Sequence, residues 1–124
     1  VTTFTKELSY SEKWEQIENV FQKFKEGAEE ATITNLRNDL EQYGGTNDIT
    51  FILGDSKKGI IHIEKRHGKD AINKVIDAVI IGKINKFVQG KKTVHIVHEG
   101  YEAVLSLDMY GEKKTWLLTG WDIK

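Results

Sequence analysis

After Gly82 the apolar periodicity of this chain changes from about 3.6 to two, and that change narrows the possible folds more than any other feature. Beyond it, Ile84–Val88, Thr93–Glu99, Tyr101–Leu107 and Lys114–Thr119 read as four strands. They are separated by Gln89-Gly90-Lys91-Lys92, by Glu99-Gly100 and by Asp108-Met109-Tyr110-Gly111-Glu112. Gaps this short permit only antiparallel neighbours, because a parallel crossover needs a dozen or more residues.

The text before Gly82 is largely helical. Ser9 and Glu12 have the spacing of a capping box, and Trp14, Ile17, Val20, Phe21 and Phe24 form the stripe of a helix ending near Gly27. A second helix is expected from Thr34, with Leu36, Leu40 and Tyr43 on one face and Gly44-Gly45 as its stop. Residues 49–53 (ITFIL) are either a strand or a buried connector. A short helix runs from Gly59 to a stop at Gly68; Asp70 then caps a helix marked by Ile72, Val75, Ile76 and Val79. Helices followed by a strand meander give an α+β fold, with four antiparallel strands, or five if residues 49–53 join them.

With 124 residues, the chain has the length of one domain, 1–124. Charge divides it: residues 1–50 carry 5 Lys/Arg against 10 Asp/Glu, and residues 51–124 carry 13 against 9. All four histidines lie in the basic part. The chain therefore reads as an acidic helical lobe, 1–45, before a basic core, 46–124, an asymmetry that suits an anionic partner. The absence of Cys excludes a thiol nucleophile and thiolate metal sites, and no apolar run is long enough to span a membrane. The sequence begins without Met, as expected of a processed product or a fragment, and its first residues resemble neither a signal peptide nor a transit peptide.

Three groups of residues could carry chemistry. His62, Arg66 and His67 share the helix before Gly68; His62 and Arg66 are neighbours at i, i+4, and His67 follows the stripe of Ile60 and Ile63. The two imidazoles diverge by about 140° unless a bend or helix end reunites them. His95 and His98, three apart on a strand, face opposite sides and cannot jointly chelate, so no metal site is expected, and one of them should pack under the helices. In the last strand Thr115, Leu117 and Thr119 are expected on one face, with Trp116 and Leu118 on the other. Trp116 reads as core. Thr119 could meet a phosphate oxygen where Gly120 leaves the backbone open, Trp121 could stack on a base, and Ser106 is a further polar candidate.

Taken in order, Gly59-Ile60-Ile61-His62-Ile63-Glu64-Lys65-Arg66-His67-Gly68, then Val104-Leu105-Ser106-Leu107, then Trp116-Leu117-Leu118-Thr119-Gly120-Trp121, the motifs resemble the barnase, EndoU, colicin and RelE-like ribonuclease superfamily. The likeness is to its phage and polymorphic-toxin branch, the type used in contact-dependent inhibition, and covers roughly residues 52–121. Trp121 stands where that branch commonly has Tyr, and residues 1–45 match nothing in it.

The resemblance implies a barnase-like fold and metal- and cofactor-independent cleavage of RNA, often tRNA. It further implies a toxin fragment delivered to the cytoplasm of a rival cell and neutralised by a cognate immunity protein. RNA supplies its own nucleophile, so an enzyme needs only a base, an acid and donors around the phosphorane. One of His62 and His67 would take the 2′-OH proton while the other, or a different His, protonates the leaving 5′-oxygen. Arg66 would steady equatorial oxygens, Thr119 and Ser106 would orient the phosphate, and Trp121, Lys65 and His98 would contact the substrate. The alternative is a non-catalytic RNA-binding or phage structural module with the same fold.

Overall fold

A computed structural model describes residues 9–123 apart from Asn35, Asn38 and Ser56. The expectations for the first eight residues fall outside the described part. Helix α1 (Tyr10–Lys25) begins with the expected capping box: Ser9 Oγ accepts from Glu12 N at 3.3 Å, and Ser9 N donates to Glu12 Oε1 at 3.1 Å. There follow β1 (Glu30–Ile33), a single 3-10 turn (Glu41–Tyr43), β2 (Ile49–Ile52), α2 (Gly59–His67) and α3 (Lys69–Ile81). The chain ends with β3 (Lys83–Val88), β4 (Thr93–His98), β5 (Tyr101–Met109) and β6 (Glu112–Asp122).

The architecture is α+β, with three α-helices and a six-stranded mixed sheet in the order β1-β2-β6-β5-β4-β3. The antiparallel meander β3–β6 is as expected, but the sheet is larger and not wholly antiparallel. Beside β6 lies β2, which pairs with it in parallel through Ile49↔Thr115 and Thr50↔Trp116. The long connection through α2, α3 and the meander provides the crossover that a parallel pair requires. Antiparallel pairing of β1 with β2 then extends the sheet.

No α-helix forms among the described residues of the segment from Thr34 to Tyr43, where one was expected. Leu36 and Leu40 are fully buried, but in an irregular connection in which Leu36 N donates to Asn47 O at 3.0 Å instead of to a helical carbonyl. Gly44, at φ 88°, ends the one turn that forms. The next departure is smaller: α3 starts at Lys69 with Gly68 as its N-cap, leaving Asp70 in the first turn, where its charge suits the helix dipole.

All three helices lie on one side of the sheet. Ile17 and Val20 of α1, Ile60 and Ile63 of α2, and Val75, Ile76 and Val79 of α3 pack with Phe51, Val94, Ile96, Leu105 and Leu117. No basic residue lies in the last turn of α3, so its terminal carbonyls are met from a distance. Arg37 Nη1 donates to Val79 O at 2.9 Å and Lys13 Nζ to Ile80 O at 3.3 Å, both cations being buried. Each places positive charge at the negative end of the helix, where its cost of burial is offset. At the other contact with α1, Tyr10 Oη and Trp14 Nε1 both donate to Asp77 Oδ1, at 2.8 and 2.9 Å.

Candidate functional site

The sheet has a second face that no helix covers among the described residues, and strand register fixes what stands on it. Alternation turns Val94, Ile96, Ala103, Leu105 and Leu117 toward the helices, so their neighbours in sequence point the other way. One cross-strand row on this open face is Lys86–His95–Val104–Thr119, running from β3 to β6. The adjacent row is Lys83–Val97–Glu102–Trp121. On the other side, Thr32–Thr50–Trp116–Ser106–Thr93–Val88 crosses all six strands.

Thr119 reaches this face through a β-bulge. Leu105 pairs with Leu117 but Val104 pairs with Thr119, so Leu118 is the extra residue and the alternation of β6 shifts there. Thr119 therefore shares a face with Trp116 and Trp121 and is opposite to Leu117, which corrects the grouping drawn from strict period two. Trp116 is buried as expected, yet outside the helix-side core. Its ring lies beneath Lys58, whose Nζ is 5.8 Å from the ring centroid, and its Nε1 donates to Asp108 O at 2.9 Å. The same ammonium donates to the Tyr110 hydroxyl at 3.1 Å, and that bond raises its pKa above the ordinary lysine value.

Gly120 also has a different role from the one its sequence suggested. It is buried against α3: a Cβ there would collide with Val75 Cγ1 and lie 2.7 Å from Val75 Cγ2. Its missing side chain serves close helix–sheet packing, and the phosphate approach imagined for it would have to come from the opposite face.

The centre of the open face is an interlocked group on three strands. His95 Nδ1 lies 3.0 Å from Glu102 Oε2, and the two side chains are 15% and 14% exposed. The Trp121 ring meets the His95 ring edge-on, with centroids 6.3 Å apart and planes at 66°. An ionised carboxylate can only accept, so this contact selects the tautomer with hydrogen on Nδ1. Nε2 has no hydrogen-bond partner among the described residues.

The other sequence candidates are distributed around this group. α2 packs against β6, β2 and α3. His62 is half-buried on it, while Lys65, Arg66 and His67 are exposed in its last turn, where the helix has run beyond the packing of Ile60 and Ile63. The helix is unbroken from Gly59 to His67, so His62 and His67 leave it in directions about 140° apart and do not converge. Ser106 stands on the open face but is buried, and its Oγ donates to Asp108 O at 2.8 Å, so that hydroxyl hydrogen is already committed. His98 pairs with Tyr101 on the helix side of β4, and its Nε2 lies 3.9 Å from Glu99 Oε2. The sheet thus separates His98 from Trp121, with which it was grouped as a substrate contact, and from Thr119.

The His95–Glu102 pair is the feature that sequence reasoning missed, although a signal for it existed. The two-residue turn Glu99-Gly100 fixes His98 opposite Tyr101, and that register brings His95 diagonal to Glu102. No three His, Asp or Glu side chains converge as a metal-binding cluster among the described residues. The sequence matches no protein-family model, and no curated protein gives a significant match.

Proposed function

We propose that the protein is a metal-independent endoribonuclease toxin domain that cuts RNA, tRNA foremost, by attack of the 2′-OH on the adjacent phosphate. The products are a 2′,3′-cyclic phosphate and a 5′-hydroxyl. The observation that carries this reading is the row Lys86–His95–Val104–Thr119 with Trp121 beside it, on the sheet face that no helix covers among the described residues. An imidazole, a hydroxyl, an indole and exposed ammonium groups within one patch form a set that can hold a phosphodiester, stack a base and move protons.

From the helix side of the sheet, round the edge of β6, α2 contributes the remaining groups. One of His62 and His67 transfers a proton, Arg66 steadies the equatorial oxygens and Lys65 draws in the backbone, all from the helix packed against β6. Thr119 donates to the phosphate. The likeness of the α2 and β6 motifs to toxin ribonucleases extends the reading: a cognate immunity protein would neutralise the domain, which would act in the cytoplasm of the target cell. No helix is long and apolar enough to cross a membrane among the described residues.

A pair of matched oligonucleotides tests this proposal. An RNA cleaved by the protein is compared with the same strand bearing a single 2′-deoxy residue at the mapped site. Cleavage of the first alone, with a cyclic-phosphate end, is expected. Equal cleavage of both would remove the 2′-OH mechanism, and tight binding without cleavage would favour the non-catalytic RNA-binding module.

A further inference from the structure

The ribonuclease reading needs two proton-transfer groups, and the straight α2 helix brings only one of its histidines to any given phosphate. We propose that His95 is the general base of the reaction and that Glu102 is its positioning residue, an inference that rests on the ribonuclease reading. His95 is already held as a base should be. Its Nδ1 faces Glu102 Oε2 at 3.0 Å, the Trp121 ring edge limits its rotation, and Nε2 is left without a partner among the described residues. A carboxylate behind an imidazole holds the tautomer and stabilises the imidazolium formed when the far nitrogen takes a proton.

An in-line displacement sets the entering and leaving oxygens on opposite sides of phosphorus, so the acid must act across the phosphate from His95. Two strand spacings, about 10 Å, separate His95 from Thr119, with Val104 between them as an apolar floor. α2 packs against β6 from the helix side of the sheet. Among the described residues β2 pairs with β6 only at Thr115 and Trp116, so an α2 imidazole serving a phosphate at Thr119 would have to reach it round the β6 edge from the helix side.

The step balances. Nε2 of His95 takes the 2′-OH proton as the 2′-oxygen forms its bond to phosphorus. The P–O5′ bond breaks, and the 5′-oxygen leaves with the proton of the α2 imidazolium, His62 or His67. Lys86, directly across β3 from His95, lies where the neighbouring backbone phosphate would pass.

The test uses the full chain, one RNA cleaved by it, and the same RNA carrying a bridging 5′-sulfur at the cleavage site. The thiolate leaves without a proton, so the sulfur substrate spares a general acid but not a general base. His95→Gln, with His95→Asn as a second variant, is expected to lose roughly 10²–10⁴-fold in kcat on both substrates. Removing the acid on α2 should be rescued by sulfur. Glu102→Gln is expected to lower kcat roughly 10–100-fold while leaving KM and the thermal midpoint near wild type, a split that a merely structural contact would not give.

A His95 variant within threefold of wild type on RNA would overturn the assignment and leave the ribonuclease reading standing, and full rescue by sulfur would overturn the base role. Wild-type protein that leaves RNA intact would overturn the ribonuclease reading and His95 with it.

Discussion

Gly120 of β6 backs directly onto Val75 of α3, and the sheet and helix meet there with no room for a methyl group. The contact lies in the strand that presents Thr119 and Trp121 to the opposite face, so helix packing on one side sets the position of the candidate site on the other. Val75 is β-branched, so its χ1 is stiff, and it is fully buried.

Gly120→Ala is therefore expected to cost about 1–3 kcal/mol by overpacking. It should also lower RNA turnover, since Glu102 O lies 3.0 Å from the added carbon and Glu102 holds His95. Thermal unfolding checks the first effect. Gly120→Ala with a midpoint equal to wild type would show that α3 yields freely and that the contact does not position β6.

The meander and α1–α3 were legible because each is governed by local chemistry: period two with short turns, a capping box at Ser9 and Glu12, and a glycine stop at Gly68. Glu30–Ile33 was not, since four residues with exposed Glu30 and Thr32 carry almost no pattern until β2 pairs with them. Leu36, Leu40 and Tyr43 have helical spacing by coincidence, their burial arising from the irregular connection on which they sit. The site was legible in its residue types but not in its faces. The bulge at Leu118 moves Thr119 across the sheet, and His95 meets Glu102 only after register is set, seven residues apart along the chain.

Arg37 grips Asp39 through two parallel bonds, Nε to Oδ1 at 2.9 Å and Nη2 to Oδ2 at 2.7 Å. These bonds, ahead of the opposing effect of partial burial, hold the Asp39 carboxyl below its usual pKa of 3.8. A lowered folded-state pKa gives stability that is present above the unfolded value and lost as pH falls through the folded one. Asp39 is 35% exposed, which screens the pair, so Asp39→Asn is expected to cost about 1 kcal/mol at pH 7. The gap to wild type should close as pH falls from 3.8 through the lowered folded-state value. Unfolding midpoints at pH 7 and through the range below pH 3.8 check this, and a gap that stays constant would contradict the ion-pair origin.

Lys83 and Lys86 stand exposed on the edge strand of the open face. If each meets one RNA phosphate, Lys83→Ala/Lys86→Ala should raise KM and flatten the salt dependence of log K by about 1.4, at roughly 0.7 per contact with a single strand. Neither lysine transfers a proton or holds the reacting phosphate in the proposed step, so kcat should change less than KM. An unchanged salt slope would place the RNA backbone elsewhere.

The central claim is metal-independent RNA cleavage on the helix-free face, and the most direct measurement is incubation of the purified protein with total bacterial RNA in EDTA, with sequencing of the fragment ends. The expected result is discrete fragments ending in 2′,3′-cyclic phosphate and 5′-hydroxyl, lost in His95→Gln and in one of the two variants His62→Ala and His67→Ala. Intact RNA in EDTA, or cleavage that returns only with added metal, would contradict it.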